Sequence, residues 1–192
     1  MRTVLVTGSP EAVEPVLAAV RAAGSDGVGL TADTDLVEEL RKLEPGSVEC
    51  YVQLPVGIAP EGDTAVSRVH SFLEQGLLTR FRLVDAVLPA LSDDASVILV
   101  GGHTLVEQQA PDDLGARKAL LTVLAHAVRA DRAPVATRVR VLDHTNTASE
   151  IADLAVTGRG PSQEQRSARS VEAVRAYEDW RTELFGMARA EI

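Results

Sequence analysis

Two histidines fall just beyond segments that read as strand ends, and that placement makes them the first candidates for chemistry. His103 follows Val100-Gly101-Gly102, and the pair Asp143-His144 follows Val139-Arg140-Val141-Leu142. In open α/β sheets the ligand crevice lies beyond the carboxyl ends of the strands, where the strand order reverses. A carboxylate with two imidazoles there can move protons in a cyclisation, dehydration or isomerisation, because imidazole titrates near neutral pH. The same residues can equally be polar loop groups at the rim of an empty or narrowed cleft, and Glu107-Gln108-Gln109 reads either way too. Two histidines without fixed local spacing are a poor metal pattern, so no metal is expected. His70 and His126 fall in helical stretches and read as packing or surface residues. Lys118 stands out because only it and Lys42 are lysine among 19 basic residues.

The elements that must position these groups follow from periodicity. Thr3 to Thr7 is a β-branched and aliphatic run ending at Gly8, and Val13, Val16, Leu17 and Val20 then recur at helical spacing, closed by Gly24 and Gly27. Val28 to Thr31 reads as a second strand. Asp33 or Thr34 caps a helix carrying Leu36, Val37, Leu40 and Leu43, ended by Pro45-Gly46, and Val48 to Leu54 is a third strand stopped by Pro55. One long amphipathic helix is predicted over Asp63 to Leu91, then a strand over Ser96 to Val100, a helix over Leu114 to Ala130 and a strand over Val135 to Leu142. Strands alternating with helices imply an α/β fold: a Rossmann-like, doubly wound parallel sheet of about five strands. Residues 1–158 form that domain. Residues 159–192 form a C-terminal extension, a long amphipathic helix with Ser162 and Gln165 as a capping box and a stripe of Val171, Val174, Tyr177, Trp180 and Leu184. It packs on the domain or on a partner.

Composition removes several function classes. The 192 residues carry a formal charge of -9 with the acidic groups scattered, which opposes binding to nucleic acid or to anionic lipid. Cys50 is the single cysteine, so neither a disulfide framework nor a thiolate cluster can form. No apolar run spans a bilayer and the start is broken too early for a signal peptide, so a cytoplasmic location is expected. The preference for Arg, Ala and Val suggests a GC-rich bacterial genome.

Ordered landmarks resemble the short-chain dehydrogenase/reductase family over most of residues 1–157. Val4-Leu5-Val6-Thr7-Gly8 is similar to the family's first strand and Thr-Gly opening, and Ala32-Asp33-Thr34-Asp35 to its Asp-x-Thr-Asp segment. Tyr51-Val52-Gln53-Leu54-Pro55-Val56-Gly57 stands where the family has Asn-Asn-Ala-Gly. Ala86-Val87-Leu88-Pro89-Ala90-Leu91 resembles the end of its long helix, and Ser96-Val97-Ile98-Leu99-Val100 the strand before its serine. Gly115-Ala116-Arg117-Lys118-Ala119-Leu120-Leu121 resembles the helix that begins Tyr-x-x-x-Lys.

The resemblance implies a degenerate, truncated member. The phosphate loop Thr-Gly-x-x-x-Gly-x-Gly keeps Gly8, but Ala12 and Glu14 hold the other glycine positions, and Glu11 and Glu14 set carboxylates beside the place of a pyrophosphate. One strand-helix unit that selects the adenosine ribose is absent. Lys118 matches the lysine, while Leu114, Gly102 and Gly76 stand at the tyrosine, serine and asparagine positions. Ordinary hydride transfer and a bound cofactor are therefore not expected. The first reading is a non-catalytic subunit or scaffold, a homodimer or a hetero-oligomer with an active relative, joined through helices 63–91 and 114–130. A second is a cofactor-independent enzyme holding a small-molecule ligand in the old crevice, with Lys118, His103, Asp143 and His144 as its groups. A third and weaker reading keeps an oxidoreductase that binds NAD(P) in a modified way.

Overall fold

The computed structural model describes residues 3–32, 35–56, 61–102, 111–133, 135, 137–142 and 146–158, and at 65, 69, 72, 77 and 111–118 the backbone alone. Five strands, β1 (Thr3–Gly8), β2 (Asp26–Thr31), β3 (Val48–Gln53), β4 (Leu91–Val100) and β5 (Arg138–Leu142), form one parallel sheet in the order β2-β1-β3-β4-β5. The chain first steps from β1 out to β2 and then returns past β1 to β3, so the order reverses between β1 and β3. Right-handed crossovers place the helices of the two directions on opposite faces. Accordingly α1 (Pro10–Ala22) packs Val13, Val16, Leu17 and Val20 against Val4, Val6, Cys50 and Val52. On the other face α2 (Leu36–Arg41), α4 (Thr79–Val87) and α5 (Pro111–Asp131) meet Leu5, Tyr51, Val97 and Leu99. The central strands are buried on both sides, which is why they read as continuous apolar runs.

Several boundaries differ from the sequence expectation, each for a local reason. The predicted helix over 63–91 is α3 (Ala65–Phe72), a π turn (Leu73–Leu78), α4 and a 3-10 turn (Leu88–Ala90). Periodicity over such a stretch cannot register the one extra residue that a π turn inserts. β4 begins at Leu91 rather than Ser96, pairing Val48 with Leu91 and then Cys50 with Ser96, so the polar Ser92-Asp93-Asp94 is a bulge inside the strand. β5 starts at Arg138, not Val135, because Val135 N–H donates to Arg132 O at 2.7 Å in a tight turn. The predicted helix 114–130 is extended by three residues at its start, to Pro111, and by one at its end, to Asp131. Gly27 lies within β2, so Gly24 alone follows α1. Asp35 is the cap of α2, its carboxylate accepting Glu38 N–H at 3.2 Å.

A sixth helix, α6 (Ala148–Thr157), was not expected. Thr147 Oγ1 accepts Glu150 N–H at 3.2 Å while Glu150 Oε2 accepts Thr147 N–H at 2.8 Å, a full capping box. Ile151, Ala152, Leu154 and Ala155 then close the α1 face of the sheet. The expected helix in 159–192 lies outside the described residues.

Candidate functional site

The carboxyl ends of β1, β3 and β4, where the order reverses, are where an open α/β sheet holds its ligand. Here chain atoms cross that place. Leu54 N–H donates to Thr7 O at 2.7 Å and Ser9 N–H to Pro55 O at 3.3 Å, which carries the pairing of β1 and β3 past both strand ends. A Cβ on Gly8 would lie 2.7 Å from Leu54 Cβ, and one on Gly102 would lie 2.2 Å from Pro55 Cγ. Leu54 and Pro55 thus rest directly against the ends of β1 and β4.

The turn from β1 into α1 is equally tight. Ser9 is the N-cap and Pro10 is already in the first turn, so the N–H groups of Ala12 and Val13 are turned to Ser9 O at 3.0 and 2.9 Å. Ala12 is half-buried against the α1 core and Glu14 is exposed on α1. A loop that wraps a phosphate needs several unpaired backbone N–H groups ahead of the helix. The single residue Ser9 offers no such loop, and a dinucleotide in the usual mode does not fit the residues present.

A polar network lies just beneath, on the α4 side. Thr7 Oγ1 and Tyr51 OH share a buried hydrogen bond of 2.8 Å. Gln53 Nε2 donates to Tyr51 OH at 3.4 Å and to Arg80 O at 2.9 Å, and its Oε1 accepts Arg80 Nε at 2.9 Å. Arg80 NH2 donates to Gln53 O at 3.2 Å and to Val100 O at 2.8 Å, so one guanidinium ties the ends of β3 and β4. Burial pushes the Tyr51 phenol up to about 12, against the opposing effects of Thr7, Gln53 and Arg80. This cluster was missed in the sequence. Its signal was present: Tyr51 and Gln53 alternate on one face of a central strand, where a polar side chain must have a partner.

Of the groups singled out from sequence, His103, Asp143 and His144 lie outside the described residues, as do Glu107, Gln108 and Gln109. Lys118 and Leu114 are placed on α5 by their backbone. Gly76 is buried in the π turn between α3 and α4. Among the described residues no group of three or more His, Cys, Asp or Glu could hold a metal ion.

No protein-family model matches the chain, and no curated protein does. Solved structures do. A doubly substituted short-chain dehydrogenase/reductase from Serratia marcescens superposes with a TM-score of 0.59 at 15% identity, over 83% of this chain and 90% of that one. The short-chain dehydrogenase-like fold is thereby established. The protein lin1944 from Listeria innocua matches at TM-score 0.54 and 16% identity, covering 90% of this chain and 92% of its own. BdcA from E. coli matches at 0.52 and 14%, over 80% and 89%.

Proposed function

We propose that this protein is a non-catalytic, short-chain dehydrogenase-like subunit that associates with a copy of itself or with an active relative through α3, α4 and α5. The carrying observation is where the exposed apolar side chains lie. Val66 is 80% exposed on α3, Leu73 43% and Leu78 47% on the π turn, and Val123 51% on α5. Among the described residues Val28 on β2 is the fifth large hydrophobic of this kind. Single exposed apolar residues are ordinary, but four of the five fall on α3, the π turn and α5, within the two helical stretches through which the association is proposed, and such residues favour a contact surface. The crowded carboxyl edge of the sheet supports the non-catalytic part, because Pro55 and the one-residue turn at Ser9 take the room that a cofactor and its phosphates need.

The subunit reading is tested by native mass measurement together with NADH and NADPH titration. A dimer, or co-purification with a short-chain dehydrogenase from the native host, without stoichiometric nucleotide binding is the expected result. A monomer without such a companion removes the association, and tight one-to-one NADPH binding removes the non-catalytic reading.

A further inference from the structure

Glycine at 102 and proline at 55 are sterically coupled. A Cβ on Gly102 would stand 2.2 Å from Pro55 Cγ and 2.3 Å from its Cβ, yet 3.6 Å from its Cα. Carbon atoms in contact settle at roughly 3.5–4.0 Å, so the ring conflicts with any side chain at 102 while the backbone of residue 55 does not. Pro55 is also held in place. Its carbonyl accepts Ser9 N–H at 3.3 Å, and the preceding Leu54 is tied to Thr7 O at 2.7 Å. On the other side Gly101 N–H donates to Leu142 O at 2.9 Å, which fixes the end of β4.

We infer that Pro55 is a built-in occupant of the switch-point crevice, filling the volume that a side chain at 102 would need. The inference rests on the non-catalytic reading and deepens it. Position 102 resembles that of the family's serine, and with Pro55 in place a hydroxyl cannot return there by one substitution. A serine at 102 is opposed by a residue 47 positions away in sequence. Glycine at 102 and proline at 55 are thus one coupled feature, not two independent ones.

A double-mutant cycle in the full chain tests this by thermal unfolding, with Gly102→Ser, Pro55→Gly and the pair. Gly102→Ser alone should lower Tm by roughly 5 °C or more, the range for inserting atoms into a packed place. Pro55→Gly should lower Tm modestly through a more flexible unfolded chain. In the Pro55→Gly background the serine should cost almost nothing further. Additive shifts, within about 1 °C, overturn the inference. If Gly102→Ser does not fold, recovery of the native circular dichroism by the double variant supports the coupling, and failure of the double variant overturns it. A cycle without coupling leaves the subunit reading standing, whereas a monomeric wild type removes that reading and leaves the coupling intact.

Discussion

Tyr51 and Arg80 show how individual residues hold the carboxyl edge of the sheet together. The folded state favours the neutral phenol of Tyr51, with a value of about 12 against roughly 10 in an unfolded chain. Between those values the unfolded chain binds fewer protons, so stability is complete below about pH 10 and falls as pH rises toward 12. The loss amounts to up to about 3 kcal/mol. Tyr51→Phe should therefore be less stable than wild type at pH 7, by about 1–2 kcal/mol for the lost partner of Thr7, yet show a flatter decline above pH 10. Urea unfolding at pH 7, 10 and 11 reads both effects, and parallel declines in the two proteins would contradict the assignment. Arg80 is a different kind of support, because its charge is shared between the carbonyls of Gln53 and Val100. Arg80→Met keeps the stem but strands those acceptors and Gln53 Oε1, and should cost about 2–4 kcal/mol in the same experiment. A cost below about 0.5 kcal/mol would mean that water replaces the guanidinium without penalty.

The elements divide by how strongly their side chains announce them. α6 stands on its capping box, so Thr147→Ala should lower stability by about 1 kcal/mol, seen as a drop in Tm of a few degrees, while Ser149→Ala on the exposed side should change little. Equal effects of the two would show that the cap is not what sets the start of α6. Thr147 to Glu150 carries that start signal in the sequence, followed by Ile151 and Leu154, but a run of only ten residues gives periodicity too few turns to single it out. β1, α1 and β3 were legible because burial on both faces makes a strand continuous in Val and Leu, and burial on one face spaces a helix by three and four. The π turn and the β4 bulge were not, since each inserts residues without changing composition. The candidate site was legible only in part. Lys118 was placed on a helix, as α5 bears out for its backbone, but the joining of Tyr51 to Thr7 and of Arg80 to Gln53 spans 44 and 27 positions and depends on sheet register. No local pattern encodes such a meeting.

At the scale of the whole molecule, charge and apolar surface act in opposite directions on association. A chain of formal charge -9 repels a second copy of itself, so a homodimer through α3 and α5 must be held by apolar burial at Val66, Leu73, Leu78 and Val123. Salt shortens the screening length from about 10 Å at 0.1 M to about 3 Å at 1 M, which weakens the repulsion and leaves the apolar contribution in place. Self-association should therefore tighten several-fold between about 0.05 and 0.5 M sodium chloride, measured by sedimentation. Association with a basic relative should respond in the opposite sense, because there the long-range charge term is attractive. Val123→Glu sharpens the test. Its side chain is half-exposed in the single chain, so the substitution should change monomer stability by less than about 1 kcal/mol. In a contact it would bury an unpaired carboxylate and add to the like charge, and association should weaken at least about tenfold. If Val123→Glu and Val66→Glu both associate as wild type does, the contact lies on another surface. The exposed edge at Val28 on β2 would then be the next face to examine, by the same substitution and the same salt series.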